Sequence, residues 1–498
     1  MHLLSLILIA LYAFGLTAIF VYTIAQVHLV YHYLKGTSRK KPKVNWSEKS
    51  SEAFPMVTVQ LPIYNERYVV DRLLDAVTNF NWPKEKLQIQ VLDDSTDDTV
   101  DIIAEKVQKL QEHGYQIQHV KRPTREGYKA GALQYGLKRA KGEYIAIFDA
   151  DFMPQPDFLR QTLPWFEDKN MGMVQARWGH LNQQYSLLTK LQAFALNAHF
   201  TVEQKGRNNA GYFMNFNGTA GVWRKACIRD AGGWQHDTLT EDLDLSYRAQ
   251  MRGWDFYFTE EVVSPAELPV VVSALKAQQF RWTKGAAEAA RKHFSRVWNL
   301  DMPLIKKLHA SSHLLSSSVF LFILLISVLS VPLLWFQSQE PGLAIFFKLA
   351  GFFLIGLIGW LLFYGTSFMI QENGSTLAKA GRLIYMFPLF LSISMGLSLH
   401  NTIAVLNGYA RRTTPFVRTP KFNIIGLSDR WSDKKYLITK LSAADITEGL
   451  LTVYFLGGII TAFLLQDYSM LPFHLMLFVG FGTIFGHSLY EKTLTTTK

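Results

Sequence analysis

Met1–Leu34 contains no Lys, Arg, Asp or Glu. About 20 apolar residues suffice to cross the hydrocarbon core of a bilayer. A secretory signal would carry an early positive region and a shorter apolar core. Here the positive charges follow the apolar run, as Lys35, Arg39, Lys40, Lys41 and Lys43. Basic residues stay on the cytosolic side of a span, so the segment reads as a retained anchor with the N-terminus outside.

The rest of the chain must be arranged around that membrane. Residues 35–55 form a charged, Ser-rich linker, and 56–285 read as a soluble domain. Residues 286–309 are expected as an interfacial amphipathic helix. Apolar runs then return. Ala310–Phe336 and Leu343–Ile370 form a hairpin over residues 310–370, joined by Gln337–Gly342, which has no Lys or Arg. Lys348 can snorkel to the outer surface. Ile446–Leu465 and Leu471–Tyr490 form a second hairpin within 443–490, and 491–498 is a cytosolic tail with Lys492 and Lys498.

Tyr385–Tyr409, inside the segment 371–442, is also apolar. If it crossed, Arg411, Arg412, Arg418, Lys421, Arg430, Lys434, Lys435 and Lys440 would all lie outside. That contradicts the distribution of basic residues around spans. The stretch also carries Ser392, Ser394, Ser398, His400 and Asn401. It is therefore expected as an interfacial or re-entrant helix on the cytosolic side. This gives five spans, with the N-terminus outside and the C-terminus inside. The formal net charge of +11 sits largely beside apolar segments, which favours a lipid bilayer as partner and argues against nucleic acid. The single cysteine, Cys227, excludes an intrachain disulfide.

In the soluble region Met56–Leu61, Leu87–Leu92, Gln116–Lys121 and Tyr144–Phe148 read as strands, and Arg67–Phe80 has helical spacing. Strands alternating with helices, with acids at the strand ends, predict a doubly wound α/β sheet. Its ligand site lies at the carboxyl ends of the strands.

The acids and cations in this region suit group transfer from a nucleotide diphosphate, which has three needs. A divalent cation and basic groups must offset the leaving diphosphate. A general base must take the acceptor proton. The nucleotide must be held in place. Asp149 and Asp151 end the fourth strand and can hold a hard cation, although a lone D-x-D also suits a solvated turn. Asp93 and Asp94 end the second strand. Lys129 lies beside Gly127 and Gly131 at a helix start, which suits a phosphate contact. Thr240, Glu241 and Asp242 can supply the base, or simply cap a helix. Gln278, Arg281 and Trp282 combine an amide, a cation and a sugar-stacking ring.

The ordered set Asp94, Asp149/Asp151, Thr240-Glu241-Asp242 and Gln278/Arg281/Trp282 resembles the processive members of glycosyltransferase family 2. These are the cellulose and hyaluronan synthases, and above all the plant cellulose-synthase-like A and C proteins. Gly127–Leu133, Phe148–Phe152, Phe216–Arg224 and Ser398–His400 extend the likeness. The resemblance implies a cytosolic nucleotide-sugar-binding domain and a helical membrane bundle. It implies donor contacts from Tyr64, Glu66, Asp94 (or Asp93), Lys129, Asp149, Asp151, Gln278 and Arg281. Asp149 and Asp151 would hold Mg2+ or Mn2+. Asp242 would be the base within the Thr240-Glu241-Asp242 motif. Phe216, Asn217, Gly218, Thr219 and Trp282 would border the acceptor. The F-x-V-T-x-K gating loop of cellulose synthases is matched in part by Phe416, Thr419 and Lys421, with Arg418 in place of Val.

The expected reaction is single displacement with inversion, polymerising a β-linked, β-1,4 polysaccharide with coupled export. UDP-glucose ranks first as donor and GDP-mannose second. Transfer of one sugar to a membrane lipid is the alternative enzyme, and a non-enzymatic channel or scaffold is the alternative of another class. Accessory export subunits or a homo-oligomer are compatible with this reading.

Overall fold

The computed structural model describes residues 2–36, 42, 44, 46, 50–339, 354–414, 417–432, 434 and 441–496. Most of the expected linker, and the start of the apolar run from Leu343, lie outside the described residues.

The chain opens with α1 (His2–Lys35). The α/β domain then runs β1 (Val57–Ile63), α2 (Val70–Thr78), β2 (Leu87–Asp93), α3 (Thr99–Glu112), β3 (Gln116–Lys121), α4 (Tyr128–Leu137), β4 (Tyr144–Ile147), α5 (Phe158–Thr162), β5 (Met171–His180), α6 (Leu187–Ala198), α7 (Lys205–Ala210), β6 (Gly221–Arg224), α8 (Lys225–Asp230), α9 (Glu241–Gln250), β7 (Asp255–Ala266) and α10 (Val272–Trp298). A π-helical turn, His199–Gln204, joins α6 to α7.

The strands form one mixed sheet in the order β3-β2-β1-β4-β6-β5-β7. The four strands expected from sequence are its parallel half. In register, Ile63 stands opposite Asp93, and Gln60 opposite Ile147. The acids that follow β2 and β4 therefore emerge at one edge of the sheet. The second half was not foreseen. β6 has only four residues and runs antiparallel to both neighbours. β7 carries Glu260, Glu261 and Pro265, and its pairing with β5 shifts register between Ala176 and Arg177. Pro is tolerated there because β7 is an edge strand. β1 and β2 are buried along nearly their whole length, so helices cover both faces of the sheet.

The membrane-side helices are α11 (Leu304–Leu314), α12 (Val319–Gln339), α13 (Leu354–Gln371), α14 (Thr376–Gly396), α15 (Ser398–Tyr409), α16 (Ala443–Leu464) and α17 (Leu471–Thr496). Among the described residues five helices are long and apolar enough to cross a membrane: Leu3–Lys35, Ser316–Gln339, Thr376–Gly396, Ala443–Leu464 and Leu471–Thr493. The number agrees with expectation, but the membership differs. Thr376–Gly396 meets the criterion, whereas only the shorter piece Ile355–Gln371 of the Leu343–Ile370 run is described.

Two expected boundaries move. The division at 285/286 falls inside α10, which continues to Trp298 as one helix. The span expected from Ala310 starts only after a break at Leu315. Tyr247 ties the preceding turn to the α/β domain, because its hydroxyl bonds the Ala310 carbonyl (3.2 Å) and His313 Nδ1 (2.9 Å). Ser316, Ser317 and Ser318 follow in a 3-10 turn, a place where hydroxyls compete with helical bonding.

The segment Tyr385–Tyr409 is not one helix either. It belongs to α14 and α15, which part at Leu397. A Cβ on Gly396 would lie 2.4 Å from the Gly480 carbonyl oxygen, and one on Gly480 would lie 1.9 Å from that of Ser392. The two glycines let α14 and α17 cross in close contact. Both flanks of the α14–α15 pair touch the α/β domain. Before it, Gln371 accepts from Arg177 Nη1 at 2.6 Å. After it, Lys284 Nζ donates to the Arg412 carbonyl and to Thr414 Oγ1, both at 2.7 Å.

α10 links the two halves of the molecule. Its first backbone N–H groups, of Val272 and Ser273, donate to the Glu491 carboxylate of α17 at 2.5 and 3.0 Å. Lys276 then lies 2.6 Å from Asp445 and 2.5 Å from Glu448 of α16. A carboxylate at the helix N-terminus satisfies donors that have no intrahelical partner.

Candidate active site

A cavity of about 210 Å³ opens at the carboxyl ends of β1, β2 and β4. One wall carries Tyr64, Glu66, Asp94, Lys129, Asp149 and Asp151. The opposite wall carries Asn217 and Gly218, then Thr240, Glu241 and Asp242 at the start of α9. Gln278, Arg281 and Trp282 come from α10, and Thr419 and Lys421 from the loop after α15. Residues separated by up to 357 positions thus share one cleft.

Three of the expected residues stand elsewhere, and a fourth is not described. Asp93 is buried and faces away from the cavity. It holds His119 Nε2 at 2.7 Å and the Ser95 N–H at 2.8 Å. Of the two acids, Asp94 is the one that lines the cavity. Phe216 is fully buried against Trp223 and Trp234, so it is a core residue. Thr219 acts from behind, where its hydroxyl accepts the Asp149 N–H at 2.9 Å and orients the start of the D-x-D turn. Phe416 lies outside the described residues.

The acids and cations neutralise one another in pairs. Lys129 Nζ sits 2.6 Å from Asp149 Oδ1, donates to the Gly218 carbonyl at 3.0 Å and lies 4.0 Å from Glu241. Lys421 Nζ sits 2.7 Å from Asp151 Oδ2. Arg281 donates to Thr419 Oγ1 at 2.7 Å. Arg122 grips both oxygens of Asp94, at 2.7 and 2.5 Å. The Arg125 guanidinium stacks 3.3 Å from the centre of the Tyr64 ring. Arg418 pairs with Glu66 at 3.1 Å and donates to the Tyr64 and Asn65 carbonyls. The residue that departs from the cellulose-synthase loop pattern therefore pins the loop to the end of β1.

Burial shapes the acid–base behaviour. It pushes the Asp242 carboxyl up to about 7, with Glu241 adding to the rise and Lys129 opposing it. It likewise raises Glu241, and takes Glu66 up to about 8. Burial alone would lower Lys129, but Asp149, Glu241 and Asp242 raise it on balance. The same contest, against Asp151, Glu267 and Glu66, leaves Lys421 raised. A carboxyl close to neutrality suits proton abstraction at physiological pH.

Two glycines permit this geometry. Gly218 has φ +79°, and a Cβ there would come within 3.0 Å of Asp242 Oδ2 and 3.3 Å of Lys129 Nζ. A Cβ on Gly285 of α10 would lie 2.5 Å from Thr240 Cγ2. Only glycine lets α10 close onto the Thr240-Glu241-Asp242 turn.

Several site residues were not foreseen: Arg122, Arg125, Glu267 and Trp178. Glu267 is buried at the end of β7 and accepts the Phe422 N–H at 2.8 Å, which fixes the loop beyond Lys421. The basic run Lys121-Arg122 after β3 was the available signal for Arg122.

The donor set fits a hard divalent cation. Asp149 and Asp151 line one cavity, and each already draws an ammonium group to it. No cluster of three or more His, Cys, Asp or Glu arranged to hold a metal is found among the described residues. Mg2+ takes one or two carboxylates and completes its sphere with phosphate and water, so two acids are enough.

Residues 55–285 match the family model described as "Glycosyltransferase like family 2". Glucomannan 4-beta-mannosyltransferase 1 of Oryza sativa subsp. japonica is 34% identical over 414 residues, 80% of this chain and 76% of that protein. Glucomannan 4-beta-mannosyltransferase 2 of Arabidopsis thaliana is 46% identical over 250 residues, 49% of this chain and 47% of that protein. Among solved structures, the mannosyltransferase PcManGT from Pyrobaculum calidifontis, in complex with GDP-Man and Mn2+, superposes with a TM-score of 0.54 at 18% identity. That superposition covers 82% of this chain and 100% of the other, and it supports the fold. With its mixed sheet, its cleft of acids and cations and its apolar helices, the chain belongs to glycosyltransferase family 2, in the company of the cellulose-synthase-like A and C proteins.

Proposed function

We propose that the protein polymerises a β-1,4-linked mannan or glucomannan from GDP-mannose at the membrane, with inversion at the anomeric carbon. The sequence alone ranks UDP-glucose first. The mannosyltransferase relatives reorder the two donors. The observation that carries the polymer reading is that two cavities share lining residues. Gln278 and Trp282 line both the acidic cleft and a larger apolar cavity among the membrane helices.

In this reading Asp149 and Asp151 hold Mn2+ or Mg2+, with Thr219 fixing the backbone of the turn. The cation supplies charge neutralisation to the departing diphosphate. Lys129, Arg281 and Gln278 face the same diphosphate, and Lys421 and Thr419 close over it. Asp94, held by Arg122, meets the nucleoside beside Tyr64, Arg125 and Glu66. Trp282 supports the acceptor sugar, and Asn217 and Gly218 border it. Asp242 takes the proton of the attacking hydroxyl as the new glycosidic bond forms and the bond to the diphosphate breaks. Glu241 raises the proton affinity of Asp242, and Thr240 sets the start of α9. One base and no carboxylate nucleophile give single displacement.

The α/β domain is placed in the cytosol, with the N-terminus outside and the C-terminus inside. The pair α14–α15 is assigned as re-entrant, since both its flanks contact the α/β domain, at Arg177 and at Lys284. Purified protein incubated with Mn2+ and either GDP-[14C]mannose or UDP-[14C]glucose tests the donor. Incorporation from GDP-mannose is expected, and incorporation from UDP-glucose alone would contradict it.

A further inference from the structure

A separate cavity of about 150 Å³ lies where α13 ends and α14 begins, against α6. Sites for drug-sized ligands start at about 300 Å³, so this one suits a small fragment and neither a nucleotide nor a chain of hexoses. One side of it is apolar. Phe194 of α6 packs on Phe368 of α13 and on Phe390 of α14, with ring centroids 5.6 and 5.2 Å apart.

The other side is polar and basic. Its charged lining residues are Lys190 of α6, Arg382 of α14 and Glu372 between α13 and α14, a net charge of +1. Arg382 Nη1 pairs with Glu372 at 2.9 Å, and Nη2 donates to the Asn373 carbonyl. A guanidinium has five N–H donors, so these contacts leave it able to bind an anion as well. Lys190 Nζ has no hydrogen bond or ion pair among the described residues. Ser367 of α13 is 1% exposed, lines the same cavity, and its Oγ has no partner. A buried hydroxyl without a partner carries a desolvation cost that a bound acceptor removes.

The surroundings of the cavity identify the anion. Leu187 of α6 and Ile384 and Tyr385 of α14 are exposed beside it, apolar surface suited to acyl chains. Tyrosine is enriched at the headgroup level of a bilayer, and basic pockets between membrane helices recognise anionic headgroups. We propose that this cavity is a lipid site, in which Lys190, Arg382 and Ser367 bind the phosphodiester of a monoanionic phospholipid in the leaflet facing the α/β domain. The net charge of +1 complements a monoanion. A zwitterionic headgroup would bring its own ammonium group against Lys190 and Arg382. The bound headgroup joins α6 to α13 and α14. α6 runs on into the π-helical turn, where His199 Nε2 meets Asn217 Nδ2 at 2.9 Å, beside the catalytic cleft. The lipid therefore braces the element that holds Asn217.

The test uses full-length protein in nanodiscs of phosphatidylcholine, with and without phosphatidylglycerol. It reads the thermal midpoint, and native mass spectrometry counts the phosphatidylglycerol retained. Phosphatidylglycerol raises the wild-type midpoint. Lys190→Gln has the wild-type midpoint in phosphatidylcholine alone, because Lys190 holds no partner in the protein. It loses the gain from phosphatidylglycerol and retains that lipid about tenfold more weakly, the effect of one charge-assisted contact. Ser367→Ala weakens retention in the same direction. Inorganic phosphate added to the phosphatidylcholine discs leaves the wild-type midpoint unchanged, and a rise equal to that from the lipid would make this a site for soluble phosphate instead. A wild-type midpoint that ignores phosphatidylglycerol overturns the proposal. So does a gain that survives in Lys190→Gln, which would reflect the charge of the bilayer surface and not this cavity. A lowered midpoint of Lys190→Gln in phosphatidylcholine alone overturns it in favour of a structural lysine.

Discussion

Lys421 and Asp151 lie 270 positions apart in the chain and 2.7 Å apart in the structure. Asp151 is one of two acids at the end of β4, and Lys421 belongs to the loop after α15. The contact brings that loop over the sheet edge, where Thr419 meets Arg281 and Arg418 meets Glu66. The loop brings the cations Arg418 and Lys421 to the cleft.

Removing that cation weakens donor binding first. Lys421→Met raises the donor KM about tenfold, the loss of one charge-assisted contact of roughly 1.5 kcal/mol. Its kcat changes less. Initial-rate kinetics over a range of donor concentrations check this, and an unchanged KM contradicts a role for the loop over the diphosphate.

In the proposed reaction Asp242 carries the proton transfer. Asp242→Asn lowers kcat by about 10²- to 10⁴-fold with donor KM nearly unchanged. Burial raises the carboxyl from its ordinary value to about 7. It is protonated below that pH and competent above it, so activity falls on the acidic side with a midpoint at about pH 7. The same shift has a stability sign. The folded state holds its proton more tightly than the unfolded state, so stability drops as pH rises from the ordinary carboxyl range through about 7. Asp242→Asn is therefore more stable than wild type at pH 8, and by a smaller margin at pH 5. Thermal scans at the two pH values check the sign.

The clamp on α10 predicts a different defect. Lys276 is buried between Asp445 and Glu448, at 2.6 and 2.5 Å. Lys276→Met leaves two buried carboxylates without their cation, and costs about 3–5 kcal/mol of stability. A lowered thermal midpoint with loss of activity is the expected outcome. A folded, fully active variant would show that α16 does not position α10.

Chelation tests the cation. EDTA abolishes turnover, and Mn2+ or Mg2+ restores it. Asp149→Ala is inactive at every concentration of the added cation.

Much of this site was legible because its pieces are short and local. Asp149 and Asp151 sit just after an apolar strand, and Thr240–Asp242 at the start of a polar helix. Gln278, Arg281 and Trp282 fall within four helical positions of one another. What stayed hidden depends on partners distant in sequence. Phe216 read as an acceptor contact, yet tryptophans on other elements draw it into the core. β7 carries two adjacent glutamates and a proline, which only its edge position permits. The break at Leu315 follows from Tyr247, more than 60 positions earlier. Arg418 was recognised as a departure from the loop pattern, but its partner Glu66 was not.

Polymer identity tests the central claim most directly. Wild-type protein with GDP-[14C]mannose and Mn2+ yields an insoluble product, which is then treated with an endo-β-1,4-mannanase. Release of the label as short manno-oligosaccharides is the predicted result. A product that resists this hydrolase, or label found only as one sugar on lipid, would contradict the account.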